Sequence, residues 1–143
     1  MSRTVVILCG PPGAGKTTAA RQSGLVVFDR DDPQWHSERQ FTNELLKLAS
    51  DPHARAVVIR SGATSYARAR AAELVKATHT FVMTADKHEL VARIKRRGRH
   101  DSIQTIAGVG TWFQRFERND GVRDFTSWAG LDEPDLGVGS EDW

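Results

Sequence analysis

At 143 residues the chain is long enough to bury the core of one ordinary domain and too short for two. Its hydrophobic content of 39% and charged content of 27% are typical of a globular protein. No apolar segment approaches the roughly 20 residues of a membrane span, so we expect a cytoplasmic protein with no membrane partner. The net charge of +2 conceals an uneven distribution, because all 20 Lys and Arg residues precede Leu131, and such a basic body suits a ligand that carries phosphate.

The first predicted element is a buried strand. The segment TVVILC, Thr4–Cys9, is rich in β-branched residues and lacks polar alternation, a pattern typical of a central parallel strand that is covered on both faces. Its cysteine is the only one in the chain, which excludes an internal disulfide. We interpret Cys9 as a small strand residue rather than a nucleophile.

A glycine-rich loop follows this strand. The spacing Gly10, four residues, Gly15, Lys16, Thr17 fits the P-loop pattern, with strand, loop and helix in the order that the pattern requires. In such a loop backbone amides hold the α- and β-phosphates, the lysine reaches the β- and γ-phosphates, and the threonine hydroxyl binds Mg²⁺. We therefore predict a site for ATP, or another nucleoside triphosphate, and for Mg²⁺ with Thr17 as a ligand. The predicted nucleotide-binding residues are Gly10, Pro11, Pro12, Gly13, Ala14, Gly15, Lys16, Thr17 and Thr18.

Strands and helices alternate along the rest of the chain. Asp32 is the predicted cap of the second helix, with Pro33 in its first turn; Thr64 caps the third helix, and the fourth runs from Asp86 to Gly98. This order predicts the α/β class: a three-layer P-loop NTPase fold, with a parallel sheet of four to five strands and helices on both faces. The predicted strands are 4–9, 24–29, 54–61 and 78–85, and the predicted helices are 16–22, 33–50, 64–77 and 86–98.

Acidic residues follow the second predicted strand, in the segment FDRDD. Ligands of such sheets bind beyond the carboxyl ends of the strands, and a carboxylate there can accept the proton of an attacking hydroxyl. We predict Asp31 as this general base, with Arg30 and Asp32 near the substrate. The alternative is that Asp31 is a turn residue and that Asp32 only caps the helix. Both interpretations hold at once if Asp32 is structural and Asp31 is catalytic.

The third predicted strand ends without an acid. Many P-loop ATPases place an acidic residue there to organise Mg²⁺ and water, whereas this chain has Arg60, Ser61 and Gly62. This favours transfer of phosphate to a bound acceptor over hydrolysis. We predict that Arg60 and Ser61 lie near that acceptor.

A basic cluster, RIKRRGR, ends the fourth predicted helix. Phosphoryl transfer spreads negative charge over oxygens that a mobile arginine can neutralise. We therefore predict a short lid with Arg97 as its catalytic arginine, and a smaller role for Arg99, which lies past Gly98. The alternative is a solvated helix end or a nucleic-acid patch.

Four segments of residues 4–118 resemble one group of enzymes. They are GPPGAGKTT at the loop, DRDDPQW in place of an Arg-Asp-Asp segment, AVVIRSGATSYARARAAEL at the third strand and helix, and ELVARIKRRGR at the lid. The chain is similar to the small P-loop kinases of the adenylate-kinase-like group, and most of all to the kinase domain of phage polynucleotide 5′-hydroxyl kinase. The resemblance implies that Lys16 and Thr17 bind nucleotide and Mg²⁺, that Asp31 is the base, and that Arg97 is the lid arginine.

Two positions depart from that family. The family places an arginine three residues after the base, where it holds the acceptor's 3′-phosphate, and this chain has Gln34 at that position. The family also places an aspartate at the end of the third strand, and this chain has Ser61 there. Loss of both members of an ion pair leaves no buried orphan charge. We therefore predict a remodelled acceptor site, with Arg60, Trp35 or Tyr66 as further contacts. Trp35 is either a stacking surface for a base or a core residue.

The last thirteen residues, LDEPDLGVGSEDW, carry five acids and no base. We expect a P-loop kinase-like domain, 1–130, followed by a disordered acidic tail, 131–143. The alternative is a tail that folds back onto the basic face as a mimic of an anionic ligand.

The predicted function is that of an ATP- and Mg²⁺-dependent kinase that phosphorylates a hydroxyl. The expected acceptor is a nucleic-acid 5′ end, a nucleoside or a nucleotide. A small-metabolite or antibiotic kinase is the alternative among enzymes. A different class is a nucleotide-binding regulatory or toxic protein that uses the loop as a switch with little turnover.

Overall fold

A five-stranded parallel sheet forms the centre of the fold in the computed structural model, which describes residues 3–129 and 131. The strands are β1 (Thr4–Cys9), β2 (Val26–Phe28), β3 (Arg55–Arg60), β4 (His79–Val82) and β5 (Arg123–Asp124). They lie in the order β2-β3-β1-β4-β5, and every neighbouring pair is parallel. The predicted parallel sheet is confirmed. The predicted acidic tail, apart from Leu131, lies outside the described residues.

Helices cover both faces of this sheet. They are α1 (Lys16–Arg21), α2 (Glu38–Ser50), α3 (Ser65–Val75), α4 (Lys87–Arg97) and α5 (Ser102–Arg115). Residues of α2, α3 and α5 pack on one face with Val5, Ile7 and Cys9, whereas α1 packs on the other face with Val6 and Leu8. Alternate residues of a strand point to opposite faces, so β1 is buried on both sides and reads as an unbroken apolar run. None of the described helices has the length and hydropathy that a membrane crossing requires.

Side-chain caps fix the starts of α2, α3 and α4. Thr64 accepts a hydrogen bond from the N–H of Ala67, and Asp86 from that of Glu89, each over 3.1 Å, which confirms these two predicted caps. Gly98 ends α4 in the left-handed conformation, as predicted.

The predicted start of α2 is wrong. Its cap is Ser37, whose hydroxyl accepts a hydrogen bond of 3.0 Å from the N–H of Gln40. Asp32 instead accepts from the N–H of Gln34 over 3.1 Å and so closes a tight turn. The carboxylate of Asp32 is occupied in that turn, so the helix begins at the next capping residue along the chain.

One helix, α5, was not predicted. Its glycines, Gly108 and Gly110, weaken a helical pattern in the sequence. In the fold Gly108 faces the glycine-rich loop, and an added Cβ there would lie 3.3 Å from Cγ of Pro12. The small residue lets α5 lie close against the loop.

Candidate active site

An open cleft of ≈ 940 Å³ lies where the carboxyl ends of β1, β2 and β3 meet. Two of the predicted nucleotide-binding residues, Pro11 and Ala14, are buried and do not line this cleft. Two of the predicted substrate residues, Asp32 and Gln34, also lie outside its lining. Four further residues line the cleft without having been predicted, Arg21, Asp29, Ile59 and Thr105, and Arg99, for which a smaller role was predicted, lines it as well. The predicted residues that line it are Gly10, Pro12, Gly13, Gly15, Lys16, Thr17, Thr18, Arg30, Asp31, Arg60, Ser61 and Arg97.

The glycine-rich loop presents bare backbone to this cleft. A Cβ at Gly10 would lie 2.4 Å from the carbonyl oxygen of Met83, so a larger residue would displace the loop from β4. Gly15 adopts φ +93° immediately before α1. Among the described residues, none accepts a hydrogen bond from the backbone N–H groups of Gly13, Gly15 or Lys16. These free donors fit the phosphate oxygens of a nucleotide.

Lys16 connects the loop to the end of β3. Its ammonium donates to the carbonyl of Gly10 over 2.5 Å and to that of Arg60 over 3.5 Å. Burial lowers the pKa of Lys16, and the nearby carboxylates of Asp29 and Asp31 oppose this by favouring the charged form. The amine is therefore held at the loop, between backbone carbonyls and two carboxylates.

Asp29, to which the sequence analysis gave no role, joins Thr17 to the segment after β2. One carboxylate oxygen accepts a hydrogen bond of 2.9 Å from the hydroxyl of Thr17, and the other accepts one of 3.0 Å from the N–H of Asp31. Among the described residues, no three or more Asp, Glu, His or Cys side chains lie together so that they could hold a metal ion. Mg²⁺ commonly binds through one or two protein oxygens, phosphates and water, so Thr17 with Asp29 fits this ion. The signal in the sequence was a pair of acids, Asp29 and Asp31, separated by one residue and placed directly after a strand.

Asp31 borders the cleft with a free carboxylate. The side chain is exposed and makes no hydrogen bond or ion pair with any described residue. Its neighbour Arg30 is paired with Glu38 over 2.5 Å. Asp31 is thus placed to accept a proton, whereas the carboxylate of Asp32 is engaged in its turn.

A buried arginine on α3 fixes the turn that follows β3. Arg68 is 1% exposed and donates to the carbonyls of Gly62 over 2.8 Å and Ala63 over 3.1 Å. Its guanidinium also pairs with Asp120 over 2.9 Å and 3.1 Å. The carbonyl of Ser61, one residue earlier, accepts from the N–H of Gly10 over 3.2 Å, so Arg68 supports the loop through this turn.

The thiol and the tryptophan that the sequence analysis considered near the site are both core groups. Burial raises the pKa of Cys9 to about 11, so the thiol is protonated and inert at neutral pH. Trp35 stacks on Phe28 with ring centroids 6.1 Å apart and meets the edge of Phe41 at 5.2 Å. Trp35 is therefore half-buried and packed against the core, which favours a core residue over a stacking surface for a base.

The sequence matches no protein-family profile and no curated protein. Among solved structures the chain is similar to a gluconokinase from Sinorhizobium meliloti 1021, with a TM-score of 0.61 and 14% identity over 88% of this chain and 83% of that one. The chain has the three-layer α/β fold of P-loop proteins. It is also similar to the protein APE1195, with a TM-score of 0.55 and 16% identity over 81% of this chain and 80% of the other. At these identities the likeness shows the P-loop fold alone and does not specify a polynucleotide kinase.

Replacing Lys16 with Ala is expected to lower affinity for ATP more than tenfold, because a charge-assisted contact to phosphate contributes about 2 kcal/mol. Thermal denaturation with and without Mg-ATP measures this effect as a loss of the rise in Tm. Lys47→Ala is the matched control, because Lys47 is an exposed lysine of α2 paired with Glu44. Equal stabilisation of the wild type and Lys16→Ala would show that the loop is not the nucleotide site.

Proposed function

We propose that this protein is an ATP- and Mg²⁺-dependent phosphotransferase that moves the γ-phosphoryl group to a hydroxyl acceptor. One observation carries the proposal: the cleft is lined by a half-buried lysine, a hydroxyl bonded to a carboxylate, and a free carboxylate. These are Lys16, Thr17 with Asp29, and Asp31. Phosphoryl transfer requires mainly positioning and charge stabilisation, and this set of groups offers both.

Each of these groups has a separate task. Bound Mg-ATP supplies the phosphoryl group and the metal charge. Thr17 and Asp29 would hold the metal, and Lys16 would contact the phosphates. Asp31 would take the proton of the acceptor hydroxyl, whose oxygen forms a bond to the γ-phosphorus while the bond from that phosphorus to the bridging oxygen of ADP breaks.

The acids of the cleft favour an acceptor other than water. Asp29 and Asp31 follow β2, whereas β3 ends in Arg60 and Ser61 without a carboxylate. A carboxylate at the acceptor side, rather than at the end of β3, suits activation of a bound hydroxyl.

For that hydroxyl we favour a small molecule over a nucleic-acid 5′ end. The resemblance to polynucleotide kinases implies an arginine and an aspartate at the positions of Gln34 and Ser61. Gln34 does not line the cleft, and the carbonyl of Ser61 accepts from Gly10 and Trp112. The gluconokinase of similar fold is, by its name, a kinase of a small molecule. A nucleoside or nucleotide belongs to the same proposed class of acceptors.

Incubation with γ-labelled ATP and three separate acceptor pools tests the proposal. The pools are oligonucleotides with a 5′-hydroxyl, nucleosides with nucleotides, and small hydroxylated metabolites. We expect label in a small acceptor, and at least tenfold less label with Lys16→Ala. Label only in oligonucleotides would correct the acceptor class. Label only in inorganic phosphate, or in no product, would contradict a kinase and favour an ATPase or a nucleotide switch.

Two arginines at the start of the α4–α5 connection are expected to act on the transfer step. Arg97 and Arg99 both line the cleft, although the sequence predicted a smaller role for Arg99. We expect Arg97→Ala or Arg99→Ala to lower kcat about tenfold or more with less effect on nucleotide affinity, because their charge matters most in the transition state. Arg96→Ala is the control, since Arg96 lies in the last turn of α4 and does not line the cleft. Equal effects of all three would indicate a solvated helix end.

A further inference from the structure

A second cleft, of ≈ 790 Å³, lies between α2 and α3, and we call it the α2–α3 groove. Its apolar walls include Leu45 of α2 and Leu74 of α3, and Val58 of β3 lies at its base. Leu45 and Val58 belong to the main hydrophobic core, so the groove reaches down to the sheet. It opens a second compartment beside the site of phosphoryl transfer.

Arg60 is shared by the two clefts. It is the last residue of β3 and lines both the active-site cleft and the α2–α3 groove. Arg30, which follows β2, and Arg68, on α3, are each paired with an acid. The guanidinium of Arg60 makes no hydrogen bond or ion pair with any described residue. A half-buried guanidinium without a partner suits a carboxylate or phosphate, which it can bind through two parallel hydrogen bonds.

An aromatic ring and two further cations form the rim of the groove. Tyr66 is 70% exposed, and the guanidinium of Arg70 lies 6.0 Å from the centre of its ring. Lys76 adds a second positive charge, against one acid, Glu73. The rim therefore offers a flat ring for stacking inside a positive field.

We propose that the α2–α3 groove binds the body of the phosphoryl acceptor. This acceptor combines an anionic group held by Arg60, an aromatic ring stacked on Tyr66, and a hydroxyl that extends to Asp31. The inference rests on the proposed phosphotransferase function and adds the chemical class of its substrate. Aromatic hydroxy acids and nucleotides share this chemistry.

Titration with small probes tests the groove without relying on catalysis. The probes are phenyl phosphate, cyclohexyl phosphate, which has the same charge and a saturated ring, and inorganic phosphate. Phenyl phosphate is expected to bind more tightly than cyclohexyl phosphate, by about threefold or more for a stacked ring. Arg60→Gln should weaken it by about tenfold or more. Tyr66→Ala should remove the preference for the aromatic ring.

Two variants decide where the probe binds. Lys16→Ala removes the phosphate contact of the loop and is expected to leave phenyl phosphate affinity within about twofold, because this lysine is not part of the groove. Arg115→Gln, at the end of α5, is the control for loss of one exposed arginine. Loss of binding in Lys16→Ala, with Arg60→Gln unchanged, would assign the probe to the loop and overturn the proposal.

Phosphoryl transfer to two acceptor series separates the groove from the proposed function. One series is aromatic hydroxy acids, and the other is nucleoside monophosphates with a free hydroxyl. We expect Arg60→Gln to raise KM for the acceptor series that is phosphorylated without changing KM for ATP. The series that is phosphorylated shows whether the acceptor's aromatic ring belongs to a hydroxy acid or to a nucleotide. Transfer with an unchanged acceptor KM in Arg60→Gln and Tyr66→Ala would overturn the groove and leave the kinase. No transfer in either series or in the acceptor pools would overturn both.

Discussion

Replacing Asp31 with Asn is expected to lower phosphoryl transfer by roughly 10²-fold or more while Mg-ATP binding is retained. Asparagine keeps the shape of the side chain and cannot accept the proton of the acceptor hydroxyl. The carboxylate of Asp31 is exposed at the cleft and has no partner among the described residues, so the substitution breaks no contact of the fold. Steady-state transfer rates and the rise in Tm with Mg-ATP separate the two effects.

Asp32→Asn is the matched control for Asp31→Asn. The carboxylate of Asp32 accepts from the N–H of Gln34, and an amide oxygen can do the same. We expect transfer and stability close to the wild type. An essential Asp32 with a dispensable Asp31 would move the base by one residue and contradict the proposed mechanism.

Replacing Arg68 with Ala is expected to reduce the free energy of unfolding by about 3–5 kcal/mol, as for other broken buried ion pairs. Arg68 is 1% exposed, so its removal leaves a cavity and leaves the carbonyls of Gly62 and Ala63 without their donor. Urea denaturation at neutral pH measures the change. Arg118→Ala is the control, because Arg118 also pairs with an aspartate, Asp124, in an exposed position where such pairs contribute less than about 1 kcal/mol.

The same pair adds an acid-dependent contribution to stability. The hydrogen bond from Arg68 holds the pKa of Asp120 below its usual range. The stabilisation is therefore present above the unfolded value of roughly 4 and is lost as the pH falls through the lower folded pKa. Since the Asp120 side chain is 33% exposed, solvent weakens this contribution. Asp120→Asn should reduce the loss of stability in acid, and an unchanged pH profile would contradict the argument.

The parts of the fold that were predicted correctly depend on local sequence. The run Thr4–Cys9, the glycine-rich loop and the caps Thr64 and Asp86 each carry their signal within a few residues. The start of α2 was mispredicted because two capping residues, Asp32 and Ser37, compete within six positions. The choice between them depends on the turn after Asp29, in which the N–H of Asp32 donates to the carbonyl of Asp29 over 3.0 Å.

The missed features depend on residues far apart in the chain. A helix with two glycines is a weak pattern until Pro12 is known to face Gly108. The sequence around Arg68 gives no sign that this arginine is buried, because its partner Asp120 lies 52 residues further along the chain. The predicted residues Lys16, Thr17, Asp31 and Arg97 do line one cleft. The bond from Thr17 to Asp29 joins α1 to the segment after β2, and neither segment signals this contact in the sequence. Their catalytic roles stay predictions until the variants above are measured.

The position of β1 in the sheet has a consequence for the newly made chain. Of the described strands β1 is made first, yet its partners are β3 and β4, whose pairing begins at Thr4 with Arg55 and at Val6 with His79. The loop that follows β1 is held by Ser61 and faces Met83. On the ribosome, an apolar strand with two open edges therefore waits for most of the domain to emerge, during which it is prone to aggregation. We expect nascent chains that end before Met83 to bind no nucleotide, so that the proposed binding of ATP requires β4 to have been made.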